Sequence, residues 1–237
     1  MEIEASVGDR ARLRLMTAAE RLFAARGING VSAREIAAAA GQRNTNAVKY
    51  HFGSVQSLVE ALFEHRMREV NARRIELIAV YDGEGRSADP RAVAEAFARP
   101  LVELMDRLRA GEDGGSWYLR FCVQAAYTVH PEVTTLGPDD LGRTPWTTGL
   151  KALTERAVEV AGGVVPARIA HRRWEQFTGF ATHELAGREQ RLELDPTHTP
   201  DPSALFLADL VDAGAGLLMA PAHPSTLALA PEAAPSA

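Results

Sequence analysis

Seven side chains able to donate or accept hydrogen bonds crowd into residues 41–53, GQRNTNAVKYHFG: Arg43, Asn44, Thr45, Asn46, Lys49, Tyr50 and His51, flanked by two glycines. The chain as a whole carries a formal charge of −5, so a basic, amide-rich stretch here is not explained by composition. Arginine, asparagine, lysine and threonine are the groups that grip phosphate oxygens or pair with base edges in a major groove. The same residues on the outside of a plain helical hairpin would do nothing but meet water. The elements that position them decide between the two readings.

Charge is distributed unevenly. Between residues 10 and 54 there are eight positive side chains, Arg10, Arg12, Arg14, Arg21, Arg26, Arg34, Arg43 and Lys49, and two negative ones, Glu20 and Glu35. That segment is +6, so the remainder carries −11. A basic quarter on an acidic body is the asymmetry expected where one part of a molecule meets a polyanion. Arginines scattered over helix surfaces would give the same count.

Residues 10–26 contain no proline or glycine and repeat apolar side chains at helical spacing, Leu15, Ala19 and Leu22, with Phe23 beside them; Gly27 then closes the helix. In SAREIAAAAG, Ser32 and Glu35 stand in the capping-box relation, and Val31 and Ile36 in that of a hydrophobic staple. Gly41 ends this second helix. TNAVKYHF reads as a third, with Val48 and Phe52 turned inward and Thr45, Asn46, Lys49 and Tyr50 outward. Ser54 recaps a long fourth helix to about residue 81, with an inner stripe at Leu58, Leu62 and Phe63. Two short helices joined by a glycine turn after a longer first one form a helix-turn-helix, and Arg34, Arg43, Asn44, Thr45, Asn46, Lys49, Tyr50 and His51 are its candidate DNA-contacting residues. This arrangement favours DNA binding over a solvated hairpin.

The ordered set AAERLFAARG, VSAREIAAAAG and YHFGSVQSLV resembles the DNA-binding domain of the TetR family of bacterial transcriptional regulators, over about a quarter of the chain. One departure stands out: Gly41 is followed by polar Gln42, and Phe52 comes eleven residues after the glycine, one more than the family pattern. Counted back from Phe52, Lys49 is the leading candidate for a DNA contact, while the resemblance implies that Tyr50 and His51 brace the helix end and touch phosphate. It also implies a dimer, double-stranded operator DNA as partner, and a small-molecule effector held in the body. The resulting expectation is a repressor that its effector releases from the operator, with the long fourth helix as lever.

The body, residues 55–220, carries no run that alternates with period two, so the fold class is all-α: a three-helix DNA-binding domain over residues 1–54, then a larger helical domain for effector binding and dimerisation. Asp89 and Pro90 open a helix in which Pro100 predicts a kink or break. Residues 130–145 are rich in turn formers and read as loop. Residues 221–237, with four prolines, read as a flexible tail. Met105, Trp117, Tyr118, Phe121, Cys122, Gln124, Tyr127, Trp146 and Trp174 are the candidate lining of the effector pocket, which their aromatic character would suit to an apolar or aromatic ligand; each is also an ordinary core residue. A stripe at Ala170, Trp174, Phe177, Ala181 and Leu185 is the first half of a candidate dimer interface. The second is a helix apolar on nearly every side, with Leu207, Leu210, Gly214, Leu217 and Leu218; a helix apolar all round must be covered all round. Two recognition helices roughly 34–36 Å apart would then meet successive major grooves.

Other classes find little support. The seven histidines are dispersed, no phosphate-cradling glycine motif or Gly-x-Ser-x-Gly elbow occurs, and Cys122 stands alone. No catalytic residue, metal site or cofactor is expected. Neither a membrane span nor a secretory signal is evident, so the expected location is the cytoplasm. The competing reading is a helical interaction module whose basic surface meets an acidic protein or a membrane.

Overall fold

In the computed structural model, residues 7–111, 115–128, 148–195 and 201–230 are described, and they are helical throughout, without a strand. The helices are α1 Val7–Arg26, α2 Ala33–Ala39, α3 Ala47–Phe52, α4 Val55–Gly83, α5 Pro90–Ala110, α6 Tyr118–Thr128, α7 Thr148–Gly162, α8 Ala167–Leu194, α9 Ser203–Met219 and the single turn α10 Pro224–Ala228; Ile28–Gly30 form a 3-10 turn. The expected loop at 130–145 lies outside the described residues.

Local chemistry accounts for the helix ends. Gly27, at φ 73°, donates its N–H to the Phe23 carbonyl and turns the chain out of α1. At α2 the capping box closes on both sides: the Glu35 N–H donates to Ser32 Oγ, and the Glu35 carboxylate accepts from the Ser32 N–H at 2.8 Å and hydroxyl at 2.7 Å. Val31 and Ile36, the staple pair, are both buried. Ser54 caps α4 by accepting from the Ser57 N–H, and Asp89 caps α5 by accepting from the Arg91 N–H.

One apolar core runs from Leu15 in α1 to Leu218 in α9. The first turns of α4, through Leu58, Val59 and Leu62, lie in it together with α1–α3, so α4 belongs to both parts of the molecule. A buried ion pair fastens it there: Arg66 Nε donates to Glu20 of α1 at 2.9 Å. On α1 and α4, Phe23 and Phe63 stack with Phe121 of α6, at ring separations of 6.0 and 4.8 Å. A second aromatic cluster, Phe97 with Trp174 and Phe177, fills the body between α5 and α8. The α6 N-terminus is capped from α8, where the buried Glu189 carboxylate accepts from the Ser116 hydroxyl and the Leu119 and Arg120 N–H groups.

Three expectations are corrected. Pro100 neither ends nor divides α5; Phe97, Leu101 and Leu104 on both sides of it are buried in the core, and a break would expose them. The stripe Trp174, Phe177, Ala181 and Leu185 is buried inside the one chain, and Ala170 packs beside Ala161 and Val165 of the α7–α8 corner. Leu207, Leu210, Gly214 and Leu218 likewise face the chain's own core, with Leu217 half-buried at its margin. Apart from Leu217, these side chains are covered by the chain itself. Gly214 does permit a close approach, but to Phe177 of α8: a β-carbon there would enter the ring's van der Waals envelope. The part of the expected tail that is described contains a turn of helix, capped by His223 and without buried residues.

Two outcomes follow from this packing. Phe177 is wedged among Phe97 and Trp174, so Gly214→Ala should overpack the site and lower stability by about 1–3 kcal/mol. Gly216 has nothing within 4 Å, so Gly216→Ala should leave the fold unchanged or raise its stability by up to about 1 kcal/mol. Urea melts at one protein concentration separate the two, and equal losses would show that the ring does not seat on Gly214. At α2, hydrogen bonds from Ser32, then from Arg26, hold the Glu35 carboxyl down from 4.5 to about 2. A depressed carboxyl stabilises the fold above its unfolded value and loses that contribution as pH falls from about 4.5 through about 2. Carboxyl-carbon NMR should place the Glu35 midpoint near 2 and move it towards 4.5 in Ser32→Ala; a wild-type midpoint already near 4 would mean that the capping box is not held in solution.

Candidate nucleic-acid interface

α2, the turn and α3 present one polar surface. Arg34 on α2, Arg43, Asn44, Thr45 and Asn46 in the turn, and Lys49 and Tyr50 on α3 are all exposed, Tyr50 to 81%; His51 is half-buried. Beneath them Ala47 and Val48 are buried and anchor α3 to the core.

The longer turn changes which residues are helical. Gly41, at φ 67°, lets its own N–H reach the Ala38 carbonyl and that of Gln42 the Ala37 carbonyl, which closes α2. The Asn44 side chain then accepts from the Asn46 N–H at 2.9 Å, and the Asn44 carbonyl from the Ala47 N–H at 3.1 Å. These bonds hold 44–46 as a turn, so α3 begins at Ala47 rather than at the expected Thr45. Arg43, Asn44, Thr45 and Asn46 therefore project from the entry to the helix, and Lys49, Tyr50 and His51 from the helix itself. Phe52 is half-buried rather than fully inside.

Its cover is a residue that sequence reasoning passed over. Arg12 of α1 donates from Nη1 to the His51 carbonyl at 2.7 Å and lays its guanidinium over the Phe52 ring, 4.3 Å from the centroid. The contact satisfies an open carbonyl at the α3 C-terminus and covers an aromatic face with one side chain. A half-buried arginine on the flank of α1 has no sequence signature apart from its helical phase.

Electrostatics separates the structural cations from the free ones. Glu20 is taken by Arg66 and Glu35 by Arg26, so both carboxylates of the basic quarter are engaged within the chain. Arg34, Arg43 and Lys49 make no ion pair with any described residue. Exposed cations without internal anions are available to phosphate at little desolvation cost.

The residues expected around an effector do not form one lining. Tyr118 and Phe121 face Phe63 at the junction with α1 and α4, whereas Trp174 lies in the second aromatic cluster, its Nε1 donating to Thr154 Oγ1 at 2.8 Å. Trp117, just before α6, donates from Nε1 to Glu193, Met105 is buried in α5, and Cys122 is half-buried. Gln124 is exposed beside Gly27, Tyr127 lies on α6, and Trp146 is outside the described residues. An open cleft of about 240 Å³ between α4 and α5, with Glu69, Arg73, Glu103 and Arg107 on its walls, is lined by none of them. Among the described residues no cluster of His, Cys, Asp or Glu is placed to hold a metal ion, and no helix is long and apolar enough to cross a membrane.

No curated protein matches the chain. Among solved structures, a protein of Mesorhizobium loti described as a TetR-family transcriptional regulator is 18% identical over 91% of this chain and 98% of its own, with a TM-score of 0.44. A TetR-family regulator from Streptomyces coelicolor is 16% identical over 92% and 99%, with a TM-score of 0.38. The multidrug binding protein EbrR in complex with ethidium is 21% identical over 86% and 97%, at 0.39. Residues 15–62 match the family model for bacterial regulatory proteins of the tetR family. That match covers α2, the turn, α3, most of α1 and the start of α4, where the capped helices and the exposed cations lie, so the N-terminal fifth of the chain is similar to the DNA-binding domain of bacterial regulatory proteins of the tetR family.

Proposed function

We propose that this regulator is a homodimeric repressor that a small-molecule effector, bound in the body, releases from its operator. The observation that carries the DNA contact is the trio Arg34, Arg43 and Lys49, exposed and unpaired around a turn whose amides and hydroxyls, on Asn44, Thr45 and Asn46, can reach base edges. Tyr50 and His51 brace the end of α3 against phosphate.

Pairing would use what the core leaves outside. On α8 these are Gly179, Phe180 and His183, and on α9 Leu205 and Ala213; Phe180 is 40% and Leu205 57% exposed. Small residues beside a few large apolar ones suit close helix packing between two copies. One helix-turn-helix reads few bases, and a two-fold pair sets two of them against successive grooves.

The release mechanism is a population shift: the effector favours a spacing of the two α3 helices that no longer fits the grooves. The α4 helix, joined to α1 by Glu20–Arg66, is one lever. Packing supports a second, because α6 meets α1 directly through Phe121 and Phe23.

Binding of the protein to its own upstream DNA, against scrambled competitor and across a salt series, tests the reading. Wild type should bind specifically at physiological salt. Lys49→Ala should weaken binding and flatten the salt slope by about 1, with unchanged thermal stability. Arg12→Ala should weaken binding together with the stability of the helix-turn-helix, because it removes the support of α3. If wild type binds both DNAs equally and loses them at moderate salt, the groove-reading claim fails and an interaction module becomes the better description.

A further inference from the structure

The largest fully buried side chain among the described residues is a charged one, Arg74 of α4, exposed to only 2%. The other deeply buried charges have charged or carbonyl partners: Glu20 has Arg66, Glu189 has Arg120, and Arg188 donates to the Asp201 carbonyl and Ser203 Oγ. Arg74 has none of these. Its Nη1 donates to Asn71 Oδ1 at 3.0 Å and reaches the Met67 sulfur at 4.0 Å, its guanidinium lies 4.9 Å from the centre of the Phe97 ring, and its Nε has no acceptor. No carboxylate among the described residues faces it; the groups close enough to act on it electrostatically are Tyr118 and Cys122 of α6.

Leaving a buried cation without an anion is costly, and arginine does not escape by giving up its proton. Burial brings it down only to about 10, so it stays charged at neutral pH. The Phe97 ring and Asn71 offset part of that cost. A second donor lies nearby: the Tyr118 hydroxyl is buried without an oxygen or nitrogen acceptor, and its one partner is the weakly accepting thiol of Cys122 one turn on. The Arg74 Nε–H, without an acceptor, and the Tyr118 hydroxyl, held only by a thiol, stand between the aromatic clusters of Phe63 and Phe121 on one side and Phe97 and Trp174 on the other. A carboxylate brings two oxygens and one negative charge, which is what the guanidinium Nε–H and the phenol O–H together lack.

We propose that the effector is an organic carboxylate with an apolar or aromatic body, anchored by Arg74 and Tyr118. The inference rests on the reading of the body as the effector domain and names the class of ligand it takes. The expectation of an apolar or aromatic ligand is thereby narrowed: the aromatic walls remain, and the anchor adds the charge. The position also suits control. Arg74 sits on α4 two turns from Arg66, which grips α1, and Tyr118 precedes Phe121, which packs on Phe23. A ligand that bridges the two donors acts on both helices that touch the DNA-binding domain.

Acetate, benzoate and decanoate, each beside its neutral amide at constant ionic strength, should be titrated into the full chain by calorimetry and thermal shift. At least one acid should bind and raise the melting temperature where its amide does not. Arg74→Met, similar in length and uncharged, should weaken that binding by on the order of tenfold or more, and Tyr118→Phe should weaken it less. Should Arg74→Met fail to fold, the acid–amide contrast in wild type and the Tyr118→Phe variant still decide. A wild type that responds to no acid, or to acid and amide alike, overturns the proposal, as does an undiminished response in both variants. Specific DNA binding measured on the same samples keeps the two readings apart: specific binding without any response to acids removes only the carboxylate, whereas an acid response without specific binding removes the repressor.

Discussion

Phe121 is buried completely between Phe23 of α1 and Phe63 of α4, and this contact makes one body of what would otherwise be two. Three short helices cannot bury enough apolar surface to be stable by themselves. Here their core is completed by the first turns of α4 and by α6, and Glu20–Arg66 fixes the register of α1 on α4. Within a low-dielectric core that ion pair is a matter of geometry more than of net energy, since the loss of one partner would strand the other. The α3 helix, six residues long, has no stability of its own. It stands on Val48 below and on Arg12 at its end. Phe23 and Arg12 are eleven residues apart on α1, roughly 16 Å along its axis, so a single helix touches α6 at one end and braces the recognition helix at the other.

What sets α6 is therefore as important as what sets α4. Its first amides are held by Glu189, a carboxylate brought from α8 and buried against them. Burial raises the Glu189 carboxyl and opposes ionisation, while the Ser116 hydroxyl, two backbone amides and Arg120 oppose that rise. An anion at a helix N-terminus satisfies amides that nothing else in the core could reach. The consequence is a continuous chain of contacts: α8 is tied to α6 through Glu189, and α6 to α1 through Phe121.

Much of this was legible from residue order, and the failures share a cause. Glycines at 27 and 41 and the Ser32–Glu35 and Asp89–Pro90 caps act through bonds a few residues long, so their effects can be read locally. The apolar stripes of α8 and α9 were read correctly as apolar, but periodicity does not say whose surface covers a stripe, and here it is α5, α6 and α7 of the same chain. The polar turn before α3 hid a side-chain bond, Asn44 to the Asn46 N–H, that competes with helix and delays it by two residues. The charged residues were hardest. Arg12, Arg66, Arg74 and Glu189 have no distinguishing neighbours in the sequence, and only the arrangement of helices decides which charges are solvated, paired or stranded.

The distribution of charge restricts how this molecule can approach DNA. With −8 over residues 55–237, the body would be repelled by a duplex, and of the basic quarter's cations Arg26 is committed to Glu35 and Arg12 to the end of α3. Arg34, Arg43 and Lys49 remain on the recognition surface. Few phosphate contacts release few counterions, so a single copy would bind any duplex weakly and lose it readily in salt. Doubling the contacts in a two-fold pair multiplies affinity where half-sites match in spacing, and adds much less where only one copy can engage. In the proposed pair an acidic body would disfavour poses in which only one of the two helices reaches a groove, and a change in their spacing would return the protein to weak, single-copy binding.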